Sequence, residues 1–149
     1  MCCLAGIALA DPKAPEGAEQ WNSAEIAWRT PADGLAEAKR EGKVALVVVH
    51  TTWCPVCQSY RKMFKNRRVV DASRKVAMIL VDADLDPEGD RAFGHEAGSV
   101  PRTLVVDENK TVMIKDADPE YLYYVDPEDP DELLKLMKEA AALTRAPGN

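Results

Sequence analysis

The chain has 149 residues, a formal net charge of −6, and 46% hydrophobic and 30% charged residues. That length supports one domain with a sizeable core, and the composition is ordinary for a globular protein. The acidic balance argues against nucleic acid or an anionic membrane as partner, since both call for clustered Lys and Arg, and no apolar run approaches the ~18 residues of a membrane span.

Residues 1–10 are small and apolar and end in Ala8-Leu9-Ala10 before Asp11. That is the Ala-x-Ala form of a signal-peptidase site, without the usual positive n-region. Segment 1–22 therefore reads as a residual signal followed by a flexible lead-in with Pro12, Pro15 and Gly17. Cleavage after Ala10 would remove Cys2 and Cys3. A lipoprotein box fails, because Ile7 follows Leu4-Ala5-Gly6 where a Cys is needed.

Ile26-Ala27-Trp28 is a short apolar segment suited to an edge strand. Thr30 then offers a helix N-cap, Pro31 fits the first helical position, and Gly42 stops the helix near residue 41. Val44 to Val49 are apolar without alternation, the pattern of a strand covered on both faces. Cys54 and Cys57 follow, and helical spacing continues through Tyr60, Met63 and Phe64, with a further turn at Val69 to Ser73. Val76 to Val81 is a second buried strand. It runs into Asp82-Ala83-Asp84-Leu85-Asp86, where a solvated acidic loop fits better than a calcium loop, because Pro87 and Phe93 stand where Gly and Glu are required.

A helix over 88–97 ends at Gly98. Leu104–Val106 and Thr111–Ile114 flank Asp107–Lys110 as a β-hairpin. Residues 116–129 form a long connection containing Tyr121, Tyr123 and Tyr124, and Asp129-Pro130 caps a last helix with Leu133, Leu134, Leu136, Met137 and Leu143 on its apolar face. The order predicts an α/β fold, a central mixed sheet flanked by helices, in one domain over 23–145 with a tail at 146–149.

The four cysteines fall in two sets, Cys2-Cys3 and Cys54/Cys57. A Cys-x-x-Cys pair closes a small loop and stabilises little, so its use is chemical. A zinc site needs further ligands, and Cys54, Cys57 and His50 fall one short; no metal and no cofactor are expected. Reversible dithiol chemistry needs an exposed, activated thiol, a second thiol to resolve the mixed disulfide, and a surface for the substrate chain. Cys54 at a helix start meets the first need and Cys57, one turn on, the second. Trp53 shelters the site and presents a flat surface, and Pro55 removes an unpaired N–H. Val100-Pro101 at a strand entrance is a candidate cis peptide.

Trp53-Cys54-Pro55-Val56-Cys57 after a buried strand, with Val100-Pro101 before a hairpin, resembles the thioredoxin superfamily from about residue 24 to 144. Trp28-Arg29-Thr30, Asp33-Gly34, His50 to Cys54, Val100-Pro101-Arg102, Tyr121 to Val125 and the acidic stretch 82–90 are most similar to the small thioredoxin-domain-12 and anterior-gradient type and their bacterial relatives. The resemblance implies a thioredoxin-like fold and a thiol:disulfide oxidoreductase acting on protein or peptide thiols. Cys54 would be nucleophile and Cys57 resolving thiol, with Trp53, Pro55, Val56, Val100 and Pro101 meeting the substrate. A redox partner and a monomeric state are expected.

Thioredoxins and disulfide isomerases carry a buried acid six residues before the first cysteine; here that residue is Val48, and His50 is a candidate modulator in its place. Val56 supplies no charge or donor between the cysteines, so a mild, thioredoxin-like potential is expected. The carboxyl end, Ala146-Pro147-Gly148-Asn149, has no retention signal, which favours a periplasmic or secreted protein over a resident of the endoplasmic-reticulum lumen, with that lumen or the cytoplasm as the alternative. A rival function is a peptide-binding or chaperone module of the same fold with a structural disulfide, and another is metal handling.

Overall fold

The computed structural model describes residues 12–115 and 119–143. The expectations placed on residues 1–10 and on the tail 146–149 lie outside them. Four strands form one mixed sheet: β1 (Trp28–Arg29), β2 (Ala45–His50), β3 (Ala77–Asp82) and β4 (Arg102–Val106), in the order β1-β3-β2-β4. β1 and β2 run parallel to β3, and β4 is antiparallel to β2.

All six residues of β2 and all six of β3 are buried. Their unbroken apolar pattern has a direct cause, because helices cover both faces. On one face Leu46, Val48, Met78, Leu80 and Val105 meet α2 (Pro55–Tyr60), α3 (Arg67–Ser73) and α5 (Pro130–Ala142). On the other, Ala45, Val47, Val49, Ile79 and Leu104 meet α1 (Pro31–Glu41) and the region of α4 (Pro87–Ala92). Helix α1 starts and stops where its sequence says: Thr30 Oγ1 accepts the Asp33 amide at 3.3 Å, and Gly42 closes it at φ 64°.

Three elements differ from expectation. The lead-in is ordered before residue 22: a 3-10 turn at Ala18–Trp21 buries Trp21 against Trp28, Tyr60 and Phe64. The Trp28 indole N–H donates to the Trp21 carbonyl at 2.6 Å, and the Asn22 amide donates to the Phe64 carbonyl at 2.9 Å, so the turn is pinned by polar as well as apolar contacts.

The helix over 88–97 is two pieces, α4 and a 3-10 turn at His95–Ala97, separated by Gly94 at φ 67°. A side chain at Gly94 would collide with Tyr123 and Leu104, which explains why only glycine allows the bend there.

The hairpin is reduced to a tight turn and one bridge, Val106 to Val112. Asp107 Oδ1 accepts the amides of Asn109 and Thr111 and so forms the turn. Beyond it the outer edge of β4 is shared: Met113 donates to the Val105 carbonyl, but Thr103 donates to the Tyr123 carbonyl. A second segment thus occupies the place a fifth strand would take.

Candidate functional site

The site forms where β2 ends and α2 begins. Cys54 is the N-cap of α2, and its sulfur accepts the backbone N–H of Cys57 at 3.1 Å. Pro55 takes the first helical position, which needs no amide donor. Both cysteines are free thiols. Against the exposed thiol expected from the sequence, only 4% of Cys54 is exposed, because it packs with Cys57, at 1%, into the apolar cluster that holds Val48, Tyr60 and Phe64.

The Val100–Pro101 peptide bond is cis and brings the Val100 carbonyl to 3.8 Å from the Cys54 sulfur, which donates its S–H to it. Trp53, 66% exposed, and Val56, 43% exposed, stand beside the pair as an apolar surface. An open cleft of about 450 Å³ runs alongside, lined by Thr51, Trp53, Cys54, Asp84, Ser99 and Val100 among others. The structure therefore gathers Trp53, Cys54, Pro55, Val56, Cys57, Val100 and Pro101 at one end of the sheet. His50 is not in the cleft. It lies beneath, with its ring 4.8 Å from that of Trp21.

Burial pushes the Cys57 thiol up to about 12, reinforced by its hydrogen bond with Cys54 and opposed by hydrogen bonding to the Thr51 backbone. Burial also raises the Tyr60 phenol, whose oxygen lies 2.6 Å from Thr103 Oγ1. Burial lowers the His50 imidazole, against the pull of the Asp82 carboxylate. Val48, where an acid would sit in a thioredoxin, is wholly buried among apolar neighbours. Among the described residues no group of three His, Cys, Asp or Glu side chains is placed to hold a metal ion.

Several supporting residues escape a reading of the sequence. Arg102, 3% exposed, ties the loop that carries Val100 to α4. Its Nε donates to the Phe93 carbonyl (3.2 Å), Nη1 to the Ser99 carbonyl (2.9 Å), and Nη2 to the Asp90 carbonyl (3.0 Å) and carboxylate. A charged residue opening an otherwise apolar strand is the signal that could have exposed it, since a buried cation requires a partner. Asp84, from the acidic loop, accepts the Trp53 indole N–H at 2.9 Å and holds the ring over the cleft. The other acids of that loop cap backbone: Asp82 Oδ1 accepts the amides of Asp84 and Leu85, and Asp86 Oδ1 that of Gly89.

A family model described as thioredoxin-like matches residues 27–108. The chain is 29% identical over 119 residues to anterior gradient protein 1 of Xenopus tropicalis, covering 78% of this chain and 63% of that protein. It is 29% identical over 133 residues to anterior gradient protein 3 of Mus musculus, covering 82% and 75%. The chain thus spans less than two thirds of the first relative's length. Among solved structures it is similar in fold to the disulphide isomerase from Xylella fastidiosa Temecula1, with TM-score 0.60, 19% identity, and 88% of this chain and 98% of that one covered. The thioredoxin from Thermus thermophilus gives TM-score 0.59, 18% identity, and coverage of 77% and 86%.

Proposed function

Because this chain belongs to the thioredoxin-like family, we propose that it is a thiol:disulfide oxidoreductase acting on protein or peptide disulfides through Cys54 and Cys57. The observation that carries this reading is the setting of the Cys54 sulfur. It lies between a backbone N–H donor from Cys57 and the Val100 carbonyl, at the wall of an open cleft. The N–H favours the thiolate once the proton has left, and the cleft admits an extended chain.

In the reducing direction the Cys54 thiolate attacks one sulfur of a substrate disulfide. That bond breaks, the first substrate thiolate leaves, and a Cys54–substrate disulfide forms. Cys57 then loses its proton and attacks Cys54 Sγ, releasing the second substrate thiolate. The substrate gains two electrons and two protons, and the protein ends with a Cys54–Cys57 disulfide that a redox partner reduces. Trp53, Pro55 and Val56 form one wall for the substrate, and the backbone of Val100 beside Pro101 pairs with its chain. The protein works as a monomer in an exported compartment, periplasmic or secreted, a placement supported by Ala8-Leu9-Ala10 in the sequence.

The test is insulin-disulfide reduction by wild type and Cys54→Ser. The variant should lose all activity above the uncatalysed rate, and Cys57→Ser should accumulate a mixed disulfide visible by mass spectrometry. Activity of Cys54→Ser equal to wild type would remove the reading.

A further inference from the structure

The charges along the cleft beside Cys54 do not balance. Of the residues that line it, Arg102 is the only Lys or Arg, and its guanidinium is committed to Asp90. The other carboxylate oxygen of Asp90 lies 3.4 Å from His95 Nδ1. Asp84 lines the same cleft, is exposed, and forms no ion pair among the described residues. The stretch 82–90 also holds Asp82, Asp86 and Glu88 and contains no Lys or Arg. Asp82 and Asp86 are occupied by backbone amides of the loop, so Asp84 is the carboxylate left to face the cleft uncompensated.

Asp84 is also fixed against an aromatic ring. Its Oδ2 accepts the indole N–H of Trp53 at 2.9 Å, and Trp53 is 66% exposed. A carboxylate held at the edge of an exposed indole is a seat for a cation. The aliphatic stem of a Lys or Arg lies along the ring, the ring face attracts the charged head, and the carboxylate receives it. Thr51 points to a polar occupant as well. It is 4% exposed and lines the cleft, and its Oγ1 has no hydrogen-bond partner among the described residues. A buried hydroxyl left unsatisfied beside a cleft is completed by a polar group of a bound chain.

We propose that the cleft selects peptides carrying Lys or Arg beside the reactive cysteine, with the basic side chain laid on Trp53 and its head group against Asp84. This rests on the dithiol reading above and adds a substrate class to it. Binding is then by charge complementarity, which sets partner choice and the rate of encounter.

The test uses the full chain with Cys2→Ser and Cys3→Ser, so that Cys54 and Cys57 are its only thiols. Three peptides share one cysteine, activated as a 2-pyridyl disulfide, and differ only in its two neighbours: both Lys, both Ala or both Glu. The Cys54 thiolate takes the peptide sulfur and pyridine-2-thione leaves; Cys57 then attacks Cys54 Sγ and the peptide thiol departs. Each rate of thione release is divided by that of the same peptide with β-mercaptoethanol, which removes intrinsic differences between the peptides. The normalised rates should fall in the order Lys, Ala, Glu, with Lys about fivefold or more above Glu at low ionic strength. That ratio should shrink to about twofold or less in ~1 M NaCl, where the screening length is about 3 Å. Asp84→Asn, which keeps an oxygen for the Trp53 N–H and removes the charge, should shrink it likewise. Equal normalised rates for the Lys and Glu peptides would overturn the inference without any variant. So would a preference for Lys that Asp84→Asn leaves intact. Failure to release thione from the uncharged Ala peptide, or a mixed disulfide that Cys57 never resolves, removes the dithiol reading and this inference with it. Full turnover of all three peptides at one normalised rate removes this inference alone.

Discussion

Replacing Arg102 by methionine isolates the contribution of the buried cation that anchors the loop bearing Val100. The guanidinium makes its four hydrogen bonds to Phe93, Ser99 and Asp90 from a fully enclosed position. Methionine keeps most of the apolar stem but leaves three carbonyls and one carboxylate without their donor. Breaking a buried ion pair by removing one partner costs about 3–5 kcal/mol. The Asp90 side chain is 20% exposed and can regain water, which places the loss near the lower bound, about 3 kcal/mol. Against a total stability of about 5–15 kcal/mol that is a large share. Urea unfolding followed by far-UV circular dichroism measures it, with the m-value checked for constancy. Asp90→Asn, which keeps a hydrogen-bonding oxygen for Arg102 and loses only the charge, should cost less, about 1–2 kcal/mol. An Arg102→Met loss below about 1 kcal/mol would refute the view that this cation holds the loop in place.

Tyr60→Phe should cost about 1–2 kcal/mol, because it strands the buried Thr103 hydroxyl now 2.6 Å away. Adding Thr103→Val should recover most of that loss, and a double-mutant cycle in urea reads the coupling directly; additive losses would show that the pair does not interact. The pH dependence of stability follows from His50. Its folded pKa lies below the unfolded value of 6.5, so the unfolded chain takes up the proton first. Stability attributable to this group is complete above 6.5 and falls as pH drops through that value towards the folded pKa. Melting curves across this range should show the slope in wild type and a smaller one in His50→Gln; equal slopes would contradict the burial argument.

The parts of the fold legible in the sequence are those set by local pattern. The unalternating runs Val44–Val49 and Val76–Val81 became the two central strands, and Thr30-Pro31 with Gly42 bounded α1. The Cys54/Cys57 spacing at a strand-to-helix junction placed the dithiol without help from tertiary contacts. What stayed hidden depends on partners distant in the chain. Trp21 looked like part of a loose leader because nothing nearby announces the cage of Trp28, Tyr60 and Phe64 that receives it. The break at Gly94 is dictated by Tyr123, a residue beyond β4, and the missing fifth strand by the same segment. Arg102 was visible only as a member of a motif, because its need for Asp90 arises from burial, which no local pattern encodes.

The most direct test of the central claim is the reduction potential of the Cys54–Cys57 couple, measured on the full chain in dithiothreitol redox buffers. A working exchange site should equilibrate there at roughly −270 to −120 mV, the span of dithiols that turn over against cellular partners. A value well below about −300 mV would mean a bridge too stable to open in use, and would contradict the assignment of Cys54 and Cys57 as a catalytic pair.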